Sequence, residues 1–117
     1  MLAKRLAPGE IPAMSISFAC NMAAIPAGER GAHHALIRRL VTEAAEEIRE
    51  RPDGSTFRFP ATEYDAVTQF VARERLCCPF LRFALEVEPE RGPLRLHLTG
   101  PDGVAPFIQA ELHLPAA

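Results

Sequence analysis

Two late stretches alternate apolar and polar residues with a period of two, and they constrain the fold more than any other feature. Phe83, Leu85 and Val87 alternate with Arg82, Glu86 and Glu88, and Leu94, Leu96 and Leu98 then alternate with Arg95, His97 and Thr99. Successive side chains of a strand point to opposite sides, so this pattern demands a sheet with one face toward a core and the other toward water. Pro89 to Pro93 joins the two strands as a hairpin.

Such a face must be covered, and the chain supplies helical patterns to cover it. After Pro26, the positions Ala32, Leu36, Ile37, Leu40, Val41, Ala44, Ala45 and Ile48 recur at the spacing of a helix that buries one stripe, and Pro52-Asp53-Gly54 stops it. Phe57 and Phe59 flank Arg58 in a short strand closed by Pro60. A second helix follows, with Thr62 placed to cap it, Asp65 in its first turn, and Val67, Phe70, Val71, Glu74 and Cys78 along its inner stripe. Pro79 ends it, because proline disfavours helix at the residue before. Beyond Pro101-Asp102-Gly103, Val104, Phe107, Ile108 and Leu112 mark a final helix. Residues 14–20 alternate around Ile16 and Phe18 and read as an opening strand. The expected fold is therefore α+β, in the order β-α-β-α-β-β-α, with a mixed sheet of about four strands and helices mainly on one face. Residues 1–13 carry no periodicity and read as a flexible leader before a single domain over 14–117.

Composition narrows the partners. A formal net charge of -2 provides no positive field for a phosphate backbone, which excludes nucleic acid. No apolar run approaches the ~20 residues needed to cross a bilayer, and the N-terminus has no signal-peptide core. Three cysteines, two of them adjacent, form no disulfide framework and are expected as free thiols in the reducing cytoplasm. A homodimer is compatible with a chain of this size.

The chemistry is concentrated in Glu74-Arg75-Leu76-Cys77-Cys78-Pro79-Phe80. The negative end of a helix dipole, with Glu74 one turn back, makes a thiolate harder to form, which counts against a resting cysteine nucleophile. One carboxylate and two thiols there gather negative charge that a cation neutralises, and thiolates select soft ions such as zinc, copper(I) or mercury(II). Zinc takes four ligands: Cys77, Cys78 and Cys20 as three, with Glu74 or His33 as the fourth. Neighbouring helical residues diverge by ~100°, so the two adjacent sulfurs share an ion only if the helix frays before Pro79. Any disulfide would join Cys20 to one of the pair, because adjacent Cα atoms sit too close for the bond. Plain readings compete: cysteine is a common core residue, and Glu74 can be an ion pair with an arginine or a cap on a nearby backbone amide. His97 and His113 read as structural, and Gly100-Pro101-Asp102-Gly103 as a turn lacking the pattern of a phosphate loop.

The helix end E-R-L-C-C-P-F at 74–80 and the turn T-G-P-D-G at 99–103 resemble those of a group of small bacterial proteins of unsettled activity. The resemblance runs from about Cys20 to the last helix and implies a bacterial origin. The expected function is thiol-based binding of a soft metal ion, for buffering, delivery or sensing, with no organic cofactor. Two alternatives stand beside it: a small enzyme with a cysteine nucleophile or redox thiol, and a non-catalytic accessory or dimerising module.

Overall fold

The structure, a computed structural model, describes residues 18–115. The leader expected over 1–13, and residues 14–17 of the expected opening strand, lie outside the described residues, while 18–20 are not in a strand. Helix α1 (Ala27–Arg39) widens into one π turn at Leu40–Ala44 and is followed by β1 (Glu47–Arg51) and β2 (Gly54–Phe59). After a tight turn at Ala61–Glu63 come α2 (Tyr64–Cys77), β3 (Arg82–Val87), β4 (Leu94–Thr99) and α3 (Val104–Glu111).

The strands form one four-stranded sheet in the order β1-β2-β4-β3. The α+β architecture thus stands. β4 faces as its period requires, whereas in the edge strand β3 Phe83 and Leu85 are only half-buried and Val87, expected to face inward, is 57% exposed. Leu94, Leu96 and Leu98 are buried on the inner face with Phe57 and Phe59, whereas Arg58, Arg95 and His97 lie on the outer face. Val67 and Phe70 of α2, and Val104 and Ile108 of α3, close over the inner face in one continuous core. Each such side chain contributes about 1.5–3 kcal/mol through the apolar surface removed from water. On the outer face His97 bonds within the sheet: Nδ1 lies 3.0 Å from the Thr56 hydroxyl and Nε2 lies 3.1 Å from Glu86.

Three details differ from the expectation. The pairings are antiparallel throughout rather than mixed. The fourth strand is Glu47–Arg51, a segment that the helical spacing assigns to the end of α1 through Ile48. The helix stops because Ala45 turns extended after the π turn, and Pro52-Asp53 then acts as a two-residue hairpin connection that pairs Arg51 with Gly54. A Cβ at Gly54 would run into the Leu98 carbonyl, so glycine is what lets β2 approach β4 at this point. Thr62 lies in the turn before α2 and caps nothing, since no side chain caps that helix.

Candidate metal centre

Helix α2 carries Glu74 on the stripe that also holds Val67 and Phe70, so its carboxylate is driven inward and is only 1% exposed. An unpaired buried charge would cost several kcal/mol, and the partner that prevents this is a histidine, not an arginine. His33 of α1, fully buried and stacked on Phe70 with ring centroids 5.9 Å apart, places Nε2 2.8 Å from Glu74 Oε1. The other ring nitrogen of His33 has no hydrogen-bond partner among the described residues. An Nε2–H donating to the carboxylate leaves only a lone pair orphaned at Nδ1, which costs less than an orphaned N–H. Arg73 instead pairs with Glu29 at 3.3 Å.

The end of α2 frays as Pro79 requires. Cys77 is the last helical residue, and Cys78 leaves the helix at φ -124°, ψ 70° while its N–H still donates to the Glu74 carbonyl at 2.8 Å. That departure brings the two sulfurs to 3.7 Å of each other instead of letting them diverge. Cys20 arrives through a backbone bond. The Asn21 N–H donates to the Cys77 carbonyl at 2.8 Å, satisfying an acceptor that the helix end would leave unpaired. The Asn21 side chain in turn accepts from the Ala23 N–H at 3.1 Å, and Arg30 holds the Ile25 carbonyl at 2.8 Å. Cys20 thereby meets Cys78 with Cα atoms 4.8 Å apart, and their sulfurs are joined as a disulfide, so of the three cysteines expected to be free thiols only Cys77, which is buried, is one.

One ligand atom each from Cys20, Glu74, Cys77 and Cys78 lies within 4.8 Å of the others, a grouping that could hold a metal ion. Glu74 divides its two oxygens. Oε1 takes the His33 bond and lies 3.7 Å from the Cys77 sulfur, while Oε2 faces Cys78 at 3.3 Å and Cys20 at 4.0 Å. His33 therefore joins the cluster through Glu74 and is not one of the four grouped atoms. Burial first, and the Glu74 charge second, push the Cys77 thiol up to about 12.

Glu74 also reaches the wall of a cleft of about 730 Å³ that runs between α1 and the end of α3. Its lining includes His34, Ile37, Arg38, Glu111 and His113, and Glu111 is held above the ordinary carboxylate range by burial and then by the Glu74 charge. Neither the Asn21 bond nor this cleft has a sequence signature: Asn21 acts through its backbone, and the cleft joins residues from opposite ends of the chain. Comparison of the chain with family models, with curated proteins and with solved structures finds no match.

Proposed function

We propose that the reduced protein binds a soft metal ion through the sulfurs of Cys20, Cys77 and Cys78 and the Oε2 oxygen of Glu74, to buffer, deliver or sense that ion. The observation that carries this reading is the convergence of four ligand atoms within 4.8 Å on a buried spot. A tetrahedral zinc with bonds of about 2.3 Å to sulfur and 2.0 Å to oxygen needs S···S edges of about 3.8 Å and S···O edges of about 3.5 Å. The Cys77–Cys78 edge of 3.7 Å and the Cys78–Glu74 edge of 3.3 Å lie close to those values, the Cys20–Glu74 edge is longer at 4.0 Å, and the bonded Cys20 and Cys78 sulfurs must part before they can form an edge of the site. His33 acts as a positioning residue, fixing the carboxylate through Oε1 and leaving Oε2 toward the sulfurs. Without a cation this spot resists negative charge, as the raised Cys77 thiol attests. The same elevation argues against Cys77 as a resting nucleophile.

The donor set also orders the ions. Zinc uses the carboxylate as its fourth ligand, whereas copper(I) and mercury(II) are satisfied by sulfur alone. Native mass spectrometry of the fully reduced chain with each ion is expected to show one ion bound, lost when Cys77 and Cys78 are both replaced by serine. Glu74→Gln is expected to weaken zinc at least tenfold while sparing copper(I). Absence of cysteine-dependent uptake by the folded, reduced chain would end the reading.

A further inference from the structure

Metal binding needs three free thiols, yet Cys20 and Cys78 are joined. We infer that Cys20 and Cys78 form a reversible dithiol–disulfide couple that opens and closes the metal site, exchanging with low-molecular-weight thiols and disulfides at the Cys20 sulfur. What the couple controls rests on the metal reading; the couple itself stands on the pairing of the two residues.

Three features of the structure select this couple. The Asn21–Cys77 backbone bond holds Cys20 beside the helix end, and the Cα separation of 4.8 Å falls within the span that a disulfide bridges. Cys77 lies 3.7 Å from the Cys78 sulfur but is its chain neighbour, and Cα atoms about 3.8 Å apart across a trans peptide are too close for the usual bond. Cys77 therefore stays a thiol while its neighbour pairs with Cys20. Access then sets the direction of attack: Cys78 is fully buried and Cys20 is only half-buried.

In the reducing direction an external thiolate attacks the Cys20 sulfur, the Cys20–Cys78 bond breaks, and Cys78 leaves as a thiolate that takes up a proton. A second thiolate attacks the external sulfur of the mixed disulfide, releasing Cys20 and a small-molecule disulfide. One protein disulfide and two small thiols thus become two protein thiols and one small disulfide, with two electrons passing to the protein. Oxidation reverses these steps. In the closed state only Cys77 and Glu74 keep their donor atoms, two short of the four that zinc requires. Oxidation therefore ejects the ion and reduction readmits it.

The test uses the full chain, reduced and loaded with zinc, then equilibrated in graded mixtures of reduced and oxidised glutathione. Three quantities are read: intact mass, the number of thiols that N-ethylmaleimide labels after unfolding, and zinc released to a chromogenic chelator. The expected result is a species two hydrogens lighter with one labelled thiol, mapping to Cys77, and zinc occupancy at least tenfold lower, recovered on adding reduced glutathione. Cys77→Ala should still form the Cys20–Cys78 bond. Three labelled thiols at the most oxidising ratio, or a bond between other partners, would overturn the couple. Equal zinc retention by both forms would overturn its control of the site. Should the reduced chain take up no ion, the metal reading falls, and the thiol count still decides the couple.

Discussion

A carboxylate with 1% exposure survives in a core only if a partner compensates it, and His33 is the residue that does so for Glu74. Glu74→Ala should therefore cost about 3 kcal/mol, because it leaves both ring nitrogens of His33 buried without partners. Glu74→Gln retains an acceptor for Nε2 and should cost within about 1.5 kcal/mol. Urea unfolding of the two variants distinguishes them, and equal losses would show that His33 does not need that acceptor. Cys77 offers a second check at this scale. A thiol raised from 9.0 to about 12 holds roughly a thousandth of the ordinary thiolate at neutral pH, so iodoacetamide should label it far more slowly in the folded, metal-free protein than after unfolding. The same shift makes stability depend on pH. Between about 9 and 12 the unfolded thiol loses its proton and the folded one keeps it, so the stability of the disulfide-bonded protein should fall as pH rises through that window.

The β3–β4 hairpin turns through Pro89-Glu90-Arg91-Gly92, with Glu90 and Arg91 both left-handed at φ 59° and 62° and the Gly92 N–H returning to the Pro89 carbonyl at 3.0 Å. That is the turn a twisted hairpin favours, built from two residues whose side chains oppose it. Asparagine followed by glycine suits those two positions, so placing that pair there relieves backbone strain and leaves the fold unchanged. The double substitution Glu90→Asn with Arg91→Gly should stabilise the protein by about 1–2 kcal/mol, read as a higher urea midpoint at unchanged slope. Where α1 ends and α2 begins, Arg39 and Glu63 form two hydrogen bonds of 3.1 and 2.8 Å. The guanidinium holds the Glu63 carboxyl below the usual range, so this link contributes at neutral pH and fades as acid protonates the carboxylate. The pair is partly exposed, and Glu63→Gln should cost no more than about 1 kcal/mol.

Across the whole molecule the sulfur chemistry sets stability as well as binding. Cys20 and Cys78 are separated by 58 residues, so their bond restrains most of the described chain in its unfolded state. A loop of that length corresponds to about 4 kcal/mol in the chain-entropy account. The reduced, metal-free protein should be the least stable of three forms, with the oxidised form higher by up to that amount and the reduced, zinc-loaded form raised according to zinc concentration. Urea titrations with a reductant, with and without zinc, measure the order. A reduced chain as stable as the oxidised one would show that the bond constrains nothing.

The α+β class, the late hairpin with its buried leucines, the helix end at Pro79 and the inward Glu74 were legible in the sequence, because each follows from a local period or from the geometry of proline. Four features were not. Glu47–Arg51 follows a helical spacing but pairs along the edge of β2, since the gain from ladder bonds outweighs a weak local preference. The meeting of Cys20 with Cys78 depends on one backbone bond from Asn21, which leaves no mark in side-chain pattern. The choice of His33 as partner for Glu74, and the cleft beside it, required α1 to be laid across α2. Local periodicity fixes which way a side chain points, and only packing decides what it finds there.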